Sequence, residues 1–244
     1  MPDFDQDALY SLPLTVPSFD VGPSRTLRLS ALLRWQQEAG ERQVRRFHMD
    51  WEPLAAQGLA FVLTRGCGKV YRLPRVGEEV TLETWSDRVE RAQFYRGYRL
   101  LDGAGTPLTE SFAAFCLVDV VSHRLTRPTP ELAARLPTGS RETGCPLPGH
   151  LKDLPPLSPA GEWRVHRSSV DLNRHLNNTV YADLLTDFLP EPLREAPIKG
   201  YALQYLTEAR EGELLTLWYG AREGDHYVEV RAGETRCFVG RISL

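Results

Sequence analysis

Two nine-residue stretches, GEEVTLETW from Gly77 and GELLTLWYG from Gly212, match at Gly, Glu, Thr and Leu in constant register. Each stands inside the same longer series, an amphipathic helix followed by four strand-like segments. A repeat of that size narrows the fold more than any other feature, because each copy must solve the same burial problem with the same elements. In the first copy, residues 27–47 carry Leu29, Leu32, Leu33, Gln36, Ala39, Gly40, Val44 and Phe47 on one face at helical spacing. FVLTRGCGKVYRL, EVTLETWSDRVE, AQFYRGYRLLD and TESFAAFCLVDVVSHR follow as strands. In the second copy a short strand, EWRVHRSSV, precedes a helix over NTVYADLLTDFLP. That helix has Val180, Leu184, Leu185 and Phe188 as its stripe and Pro190 as its stop. ALQYLTE, LLTLWYGARE, HYVEVRAG and RCFVGRISL then read as strands. Short turns between strands make each sheet antiparallel. A helix with one apolar stripe and a sheet with one face to cover satisfy each other when the sheet wraps the helix. The expectation is an α+β chain containing this unit twice.

Between the copies, residues 126–160 hold eight of the eighteen prolines and no apolar period. This predicts a first repeat over 1–125, a Pro-rich linker over 126–160 and a second repeat over 161–244. A net charge of -3 gives no reason to expect a nucleic-acid partner. Lysine occurs only at 69, 152 and 199, so arginine supplies most of the positive charge. Arg88, Arg91, Arg96 and Arg99 on strand-like segments could form a rim for an acidic partner. Cys67, Cys116, Cys145 and Cys237 show no metal-ligand spacing and read as reduced thiols of a cytoplasmic protein. The start, MPDFDQDALY, lacks the apolar core of a signal peptide, and no apolar run reaches the ~20 residues of a membrane span.

The chemistry concentrates in DLNRHLNN from Asp171. Read as an extended segment, it turns Asp171, Asn173 and His175 to one side and Leu172 and Leu176 into the core. Asn177 or Asn178 would cap the following helix, whose first N–H groups favour developing negative charge. One capping residue is ordinary, but capping does not explain a carboxylate, two further amides and an imidazole together. Asp171 and His175 could ligate a metal, yet no second ligand cluster accompanies them. Glu208, in QYLTEAREGE, lies on a predicted strand that alternates from Gln204 to Glu208; taken alone it reads as a solvated strand-end carboxylate.

Taken together, the Asp171/Asn173/His175/Asn177/Asn178 motif and the YLTEA stretch resemble the plant and bacterial acyl-ACP thioesterases. WQQEAGERQ, GLAFVLTR, YRLPRVGEEVTLETW and RLTRP in the first half add to the likeness, which spans residues 15–130 and 160–243. The resemblance implies a tandem, or double, hotdog fold and hydrolysis of a fatty acyl thioester without a cofactor or metal. It implies Asp171, Asn173, His175 and Glu208 as the catalytic set. Glu208 would be a base acting on water or a nucleophile, Asn173 and His175 would polarise the carbonyl or hold the water, and Asp171 would orient a neighbour. Plant members carry Cys after the glutamate; this chain has Ala209, which removes a thiol-nucleophile route. The acyl chain would lie in the first repeat, with Trp35, Phe47, Met49, Trp51 and Phe61 as candidate substrate-binding residues. The implied partner is acyl carrier protein bearing an acyl-phosphopantetheine. Hydrolysis of acyl-CoA or another small thioester, and non-catalytic acyl binding, stand as alternatives, and monomer and homodimer are both open.

Overall fold

The computed structural model describes residues 8–244; most of the acidic N-terminal stretch, residues 1–7, lies outside them. Among the described residues, ten strands form one antiparallel sheet in the order β1-β3-β4-β5-β2-β7-β10-β9-β8-β6. The first repeat supplies β1 (Leu9–Thr15), β2 (Leu59–Val70), β3 (Glu79–Glu90), β4 (Gln93–Asp102) and β5 (Pro107–Asp119). The second supplies β6 (Ser158–Arg164), β7 (Gly200–Tyr205), β8 (Leu214–Arg222), β9 (Asp225–Ala232) and β10 (Thr235–Ser243). The order reads the same from either edge, with β1 answering β6 and β2 answering β7. The repeats meet where β2 pairs β7, from Arg65↔Gln204 to Lys69↔Gly200.

One face of the sheet wraps the helices α1 (Leu29–Arg45) and α4 (Val180–Asp187), giving the tandem hotdog arrangement. The main core joins Leu29, Leu32 and Ala39 of α1 with Tyr181, Leu184 and Leu185 of α4 and with the inward residues of both halves of the sheet. The second helix is only eight residues long and ends before Pro190, so the two repeats share a plan but not a helix length. The strands expected after each helix all form. β1 was not expected, because Pro13 interrupts its pattern; it is an edge strand, paired only to β3, where proline is tolerated.

The Pro-rich stretch between repeats is a packed strap. It begins with α3 (Pro130–Ala133), whose Thr129 side chain accepts from Leu132 N. The strap then crosses the outer sheet face strand by strand. Gly139 N donates to Ser86 O of β3 at 3.0 Å. Arg99 of β4 donates to Glu142 O at 2.6 Å. Gly144 N donates to Glu110 Oε2 of β5 at 2.7 Å. Cys145 meets Cys67 of β2, and Leu151 N donates to Gln204 Oε1 of β7 at 2.8 Å. Beneath the strap Trp85 is fully buried, its indole filling the space a side chain at Gly97 would need.

Candidate active site

The segment Asp171–Leu176 is a tight turn rather than the extended strand expected from alternation. Asp171 N donates to His175 O at 2.9 Å and Arg174 N donates to Asp171 O at 3.0 Å, with Arg174 in left-handed backbone at φ 62°. One carboxylate oxygen of Asp171 accepts from Asn173 N at 2.8 Å and from His175 N at 3.2 Å. Asp171 therefore orders the backbone of the turn, as an aspartate side chain readily does. The turn reverses the chain, so Leu172 stands fully exposed at its tip while Leu176 is buried.

Backbone contacts then decide what the turn faces. Leu176 N donates to Ala209 O at 2.8 Å, and His175 forms a bridge with Arg210. This stitches the turn to the chain just beyond β7 and sets His175 Nε2 3.0 Å from Glu208 Oε2. The His175 side chain is 23% exposed and that of Glu208 47%, so the pair is reachable by water. Asn173 lies on the exposed side of the turn, where its side chain has no hydrogen-bond partner among the described residues. Neither Asn177 nor Asn178 is the helix cap: Thr179 holds that position and its side chain makes no capping bond. Asn177 orders the turn leading in, its Oδ1 accepting from Thr179 N at 2.9 Å and from Thr179 Oγ1 at 2.8 Å. Tyr205 OH donates to Asn178 O at 3.2 Å, tying the helix entry to β7. A cleft of about 320 Å³ beside the turn is lined by Arg167, Val170, Asp171, Arg174 and Glu211.

The five apolar candidates separate. Phe47, Met49 and Phe61 belong to one cluster with Val44, Leu54, Phe94 and Leu117, and Phe61 meets Phe94 edge-on at 4.8 Å. Trp35 packs against the main core and donates its indole N–H to Asp20 at 2.9 Å. Trp51, at the start of the short helix α2 (Trp51–Ala55), is half exposed. The expected arginine rim dissolves for most of its members. Arg96 is buried and bonded to Gln43, Arg88 is paired with Asp87 at 2.7 Å, and Arg99 with Glu110 at 2.8 Å. Both faces of β4 are covered, so alternation puts Arg96 against the helix and Arg99 under the strap. Arg167 and Arg174, which the sequence reading passed over, line the cleft beside the turn instead; their spacing to Asp171 was the available signal.

Models of the acyl-ACP thioesterase N-terminal and C-terminal domains match residues 8–136 and 158–235. The palmitoyl-acyl carrier protein thioesterase of Gossypium hirsutum chloroplasts is 22% identical over 95% of this chain and 60% of its own length. Oleoyl-acyl carrier protein thioesterase 2 of Arabidopsis thaliana is 22% identical over 84% of this chain and 61% of its own. This chain thus spans about 60% of the length of these relatives. Among solved structures, an acyl-ACP thioesterase from Bacteroides thetaiotaomicron superposes with a TM-score of 0.90 at 16% identity, covering 98% of both chains. The 12:0-ACP thioesterase of Umbellularia californica gives 0.85 at 19% identity, covering 97% of this chain and 96% of that one. With both domain models matched in order across a tandem hotdog sheet, the chain belongs to the acyl-ACP thioesterase family.

Proposed function

We propose that this protein hydrolyses fatty acyl groups from acyl carrier protein, releasing the free acid and the carrier thiol. The observation that carries the reading is the contact between His175 Nε2 and Glu208 Oε2 at 3.0 Å, on a turn ordered by Asp171. Family membership and the names of the relatives support it. In this scheme Glu208 takes a proton from water as the oxygen attacks the thioester carbonyl carbon. Help of this kind is typically worth ~10²–10⁴ in rate. The imidazole of His175 holds Glu208 in place through Nε2, and the Asn173 amide polarises the carbonyl. A well-aimed donor to the developing oxyanion contributes about 2.7–4 kcal/mol. The C–S bond then breaks, and the proton held by Glu208 passes to the departing thiolate. Asp171 touches no reacting atom here; it is a positioning residue. Ala209 has no nucleophilic atom, so the route runs through the carboxylate.

The acyl chain is assigned to the Phe47/Met49/Phe61 cluster. β2 and β7 run side by side from Lys69↔Gly200 to Arg65↔Gln204 and part at the end where β2 continues to Phe61 and β7 leads to Glu208. Trp51 would sit at the rim of that cluster and Trp35 outside it. Arg167 and Arg174 suit the phosphate of a pantetheine arm or the acidic surface of a carrier. Four free thiols accord with a cytoplasmic setting. The deciding experiment measures turnover of one acyl group on carrier protein and on coenzyme A, from short to long chains. Faster hydrolysis from the carrier supports the reading. Hydrolysis of the coenzyme A ester alone replaces it with the acyl-CoA reading, and acyl binding without turnover of either ends it.

A further inference from the structure

Cys67 and Cys145 lie 78 residues apart in sequence, yet their sulfurs are 3.7 Å apart. Cys67 sits on the outer face of β2, close to the seam between repeats, and Cys145 sits at the middle of the strap. Both are buried in a small cluster with Trp85 and Phe112. Both thiols also turn to one acceptor, Pro146 O, at 3.1 Å from Cys67 and 3.5 Å from Cys145. Hydrogen bonds from neighbouring residues fix the strap on either side of this point. Gly144 N is held by Glu110 and Leu151 N by Gln204. The two sulfurs are therefore neighbours because the strap is laid down there, and closing them into a bond calls for a short approach rather than a rearrangement.

We propose that Cys67 and Cys145 form a reversible dithiol–disulfide couple that staples the inter-repeat strap to the sheet. The oxidant is a small-molecule disulfide such as oxidised glutathione. Local opening of the strap exposes Cys145. Its thiolate attacks one sulfur of the reagent, whose S–S bond breaks and releases one thiolate, leaving a mixed disulfide on Cys145. The Cys67 thiolate then attacks the Cys145 sulfur, and the second small thiol leaves. Overall the two protein thiols give up two electrons and two protons, and one disulfide reagent becomes two thiols. The hydrogen bond between the two sulfurs favours the Cys145 thiolate, in keeping with its role as the first nucleophile. Cys116 and Cys237 are buried too, but each is bonded or packed away from any other cysteine and serves as an internal control.

The test treats the full-length folded protein with oxidised glutathione without denaturant, then reads intact mass, free thiols and a non-reducing peptide map. The titratable thiols should fall from four to two. The mass should fall by about 2 Da for the two hydrogens lost. One cross-linked peptide should contain Cys67 and Cys145, and dithiothreitol should restore all four thiols. Melting temperature should rise by ~5–10 °C on closure, as for a native-geometry cross-link in a domain of this size. Cys145→Ala, which changes only the strap, should abolish the cross-link, and Cys67→Ala should do the same from the sheet side. Four thiols surviving exhaustive treatment, a glutathione adduct that stays on either cysteine, or a cross-link to Cys116 or Cys237 would overturn the couple. A Cys67–Cys145 bond that forms but lowers the melting temperature would overturn the stapling role.

Discussion

The turns Gly22–Leu27 and Asp171–Leu176 precede the central helices of the two repeats and follow the same backbone path. Val21 bridges Leu27 as Val170 bridges Leu176. Gly22 N donates to Thr26 O at 3.0 Å as Asp171 N does to His175 O at 2.9 Å. Arg25 and Arg174 occupy left-handed backbone at φ 64° and 62°. Thr26 bridges Arg75 as His175 bridges Arg210. Leu27 N donates to Pro74 O at 2.9 Å as Leu176 N does to Ala209 O at 2.8 Å. Even the carboxylate that follows is repeated: Glu78 accepts from Arg75 N at 3.0 Å and Glu213 from Arg210 N at 2.8 Å. On this shared frame the side chains differ. Where the second repeat has Asp171, Asn173, His175 and Glu208, the first has Gly22, Ser24, Thr26 and Leu73, with Ser24 and Thr26 hydroxyls bonded to each other at 2.8 Å. The frame is common to both repeats, and at four positions along it the side chains differ in chemical type.

The comparison breaks most sharply at Glu208. Glu208→Gln should lower kcat by ~10²–10⁴ with the circular dichroism spectrum unchanged, while Thr26→Ala at the matching turn should leave kcat within about twofold. Equal losses at the two turns would mean that the first repeat also handles the reacting group. Next comes Asp171→Gly, which gives the second turn the first turn's residue. Two hydrogen bonds to the backbone N–H groups of Asn173 and His175 disappear while the frame survives, since Gly22 already tolerates their absence. We expect roughly a tenfold to hundredfold loss in kcat with little change in KM, because misplacement rather than lost binding is the cause. A rise in KM at constant kcat would contradict the positioning role.

The third expected effect concerns stability and the strap. Glu110 of β5 accepts from Gly144 N, Tyr71 OH and Arg99; the matching position of β10 is Val239. Burial by itself would raise the Glu110 carboxyl, but the Gly144 N–H, Tyr71 and Arg99 together hold it below its ordinary value. A carboxyl depressed in the folded state contributes stability above its unfolded value, about 4.3, and loses it as pH falls through the folded one. Glu110→Gln should therefore cost about 1–3 kcal/mol in urea unfolding at pH 7 and progressively less as the pH is lowered below about 4. A penalty independent of pH would assign the loss to packing alone. The smallest effect should come from Gly22→Asp, the reciprocal exchange. A Cβ at Gly22 meets only Arg28 Cγ at 3.7 Å, and the new carboxylate can accept from the N–H groups of residues 24 and 26. A gain of about 0.5–1 kcal/mol is expected, read as a small rise in the urea midpoint.

The repeat was legible because it is written in periodicity: the stripe of α1 and the Gly-Glu-x-x-Thr-Leu match survive any change of surface. His175 and Glu208 could be paired in advance only through the family likeness, since 33 residues and a whole helix separate them and no pattern spans that gap. The extended reading of DLNRHL failed because polar and apolar residues alternate in a tight turn for reasons unrelated to burial. An aspartate two residues before an asparagine, with Arg25 repeated at Arg174, was the local signal for it. The strap stayed hidden for a different reason. Its anchors are backbone groups such as Gly144 N, Glu142 O and Leu151 N, and main-chain atoms leave no mark on composition. The scattered arginines misled in the same way, because alternation sent Arg96 inward and Arg99 under the strap.

The β2–β7 seam joins two halves of one polypeptide. Were the halves separate molecules, the pairing from Arg65↔Gln204 to Lys69↔Gly200 would come apart on dilution, and every inherited change would strike both sides of the seam at once. Written into a single chain, the halves share a tethered local concentration that no dilution reduces. Each can also change alone. One half carries an aspartate, an asparagine and a histidine on its turn while the other carries a glycine and two hydroxyls in the same fold.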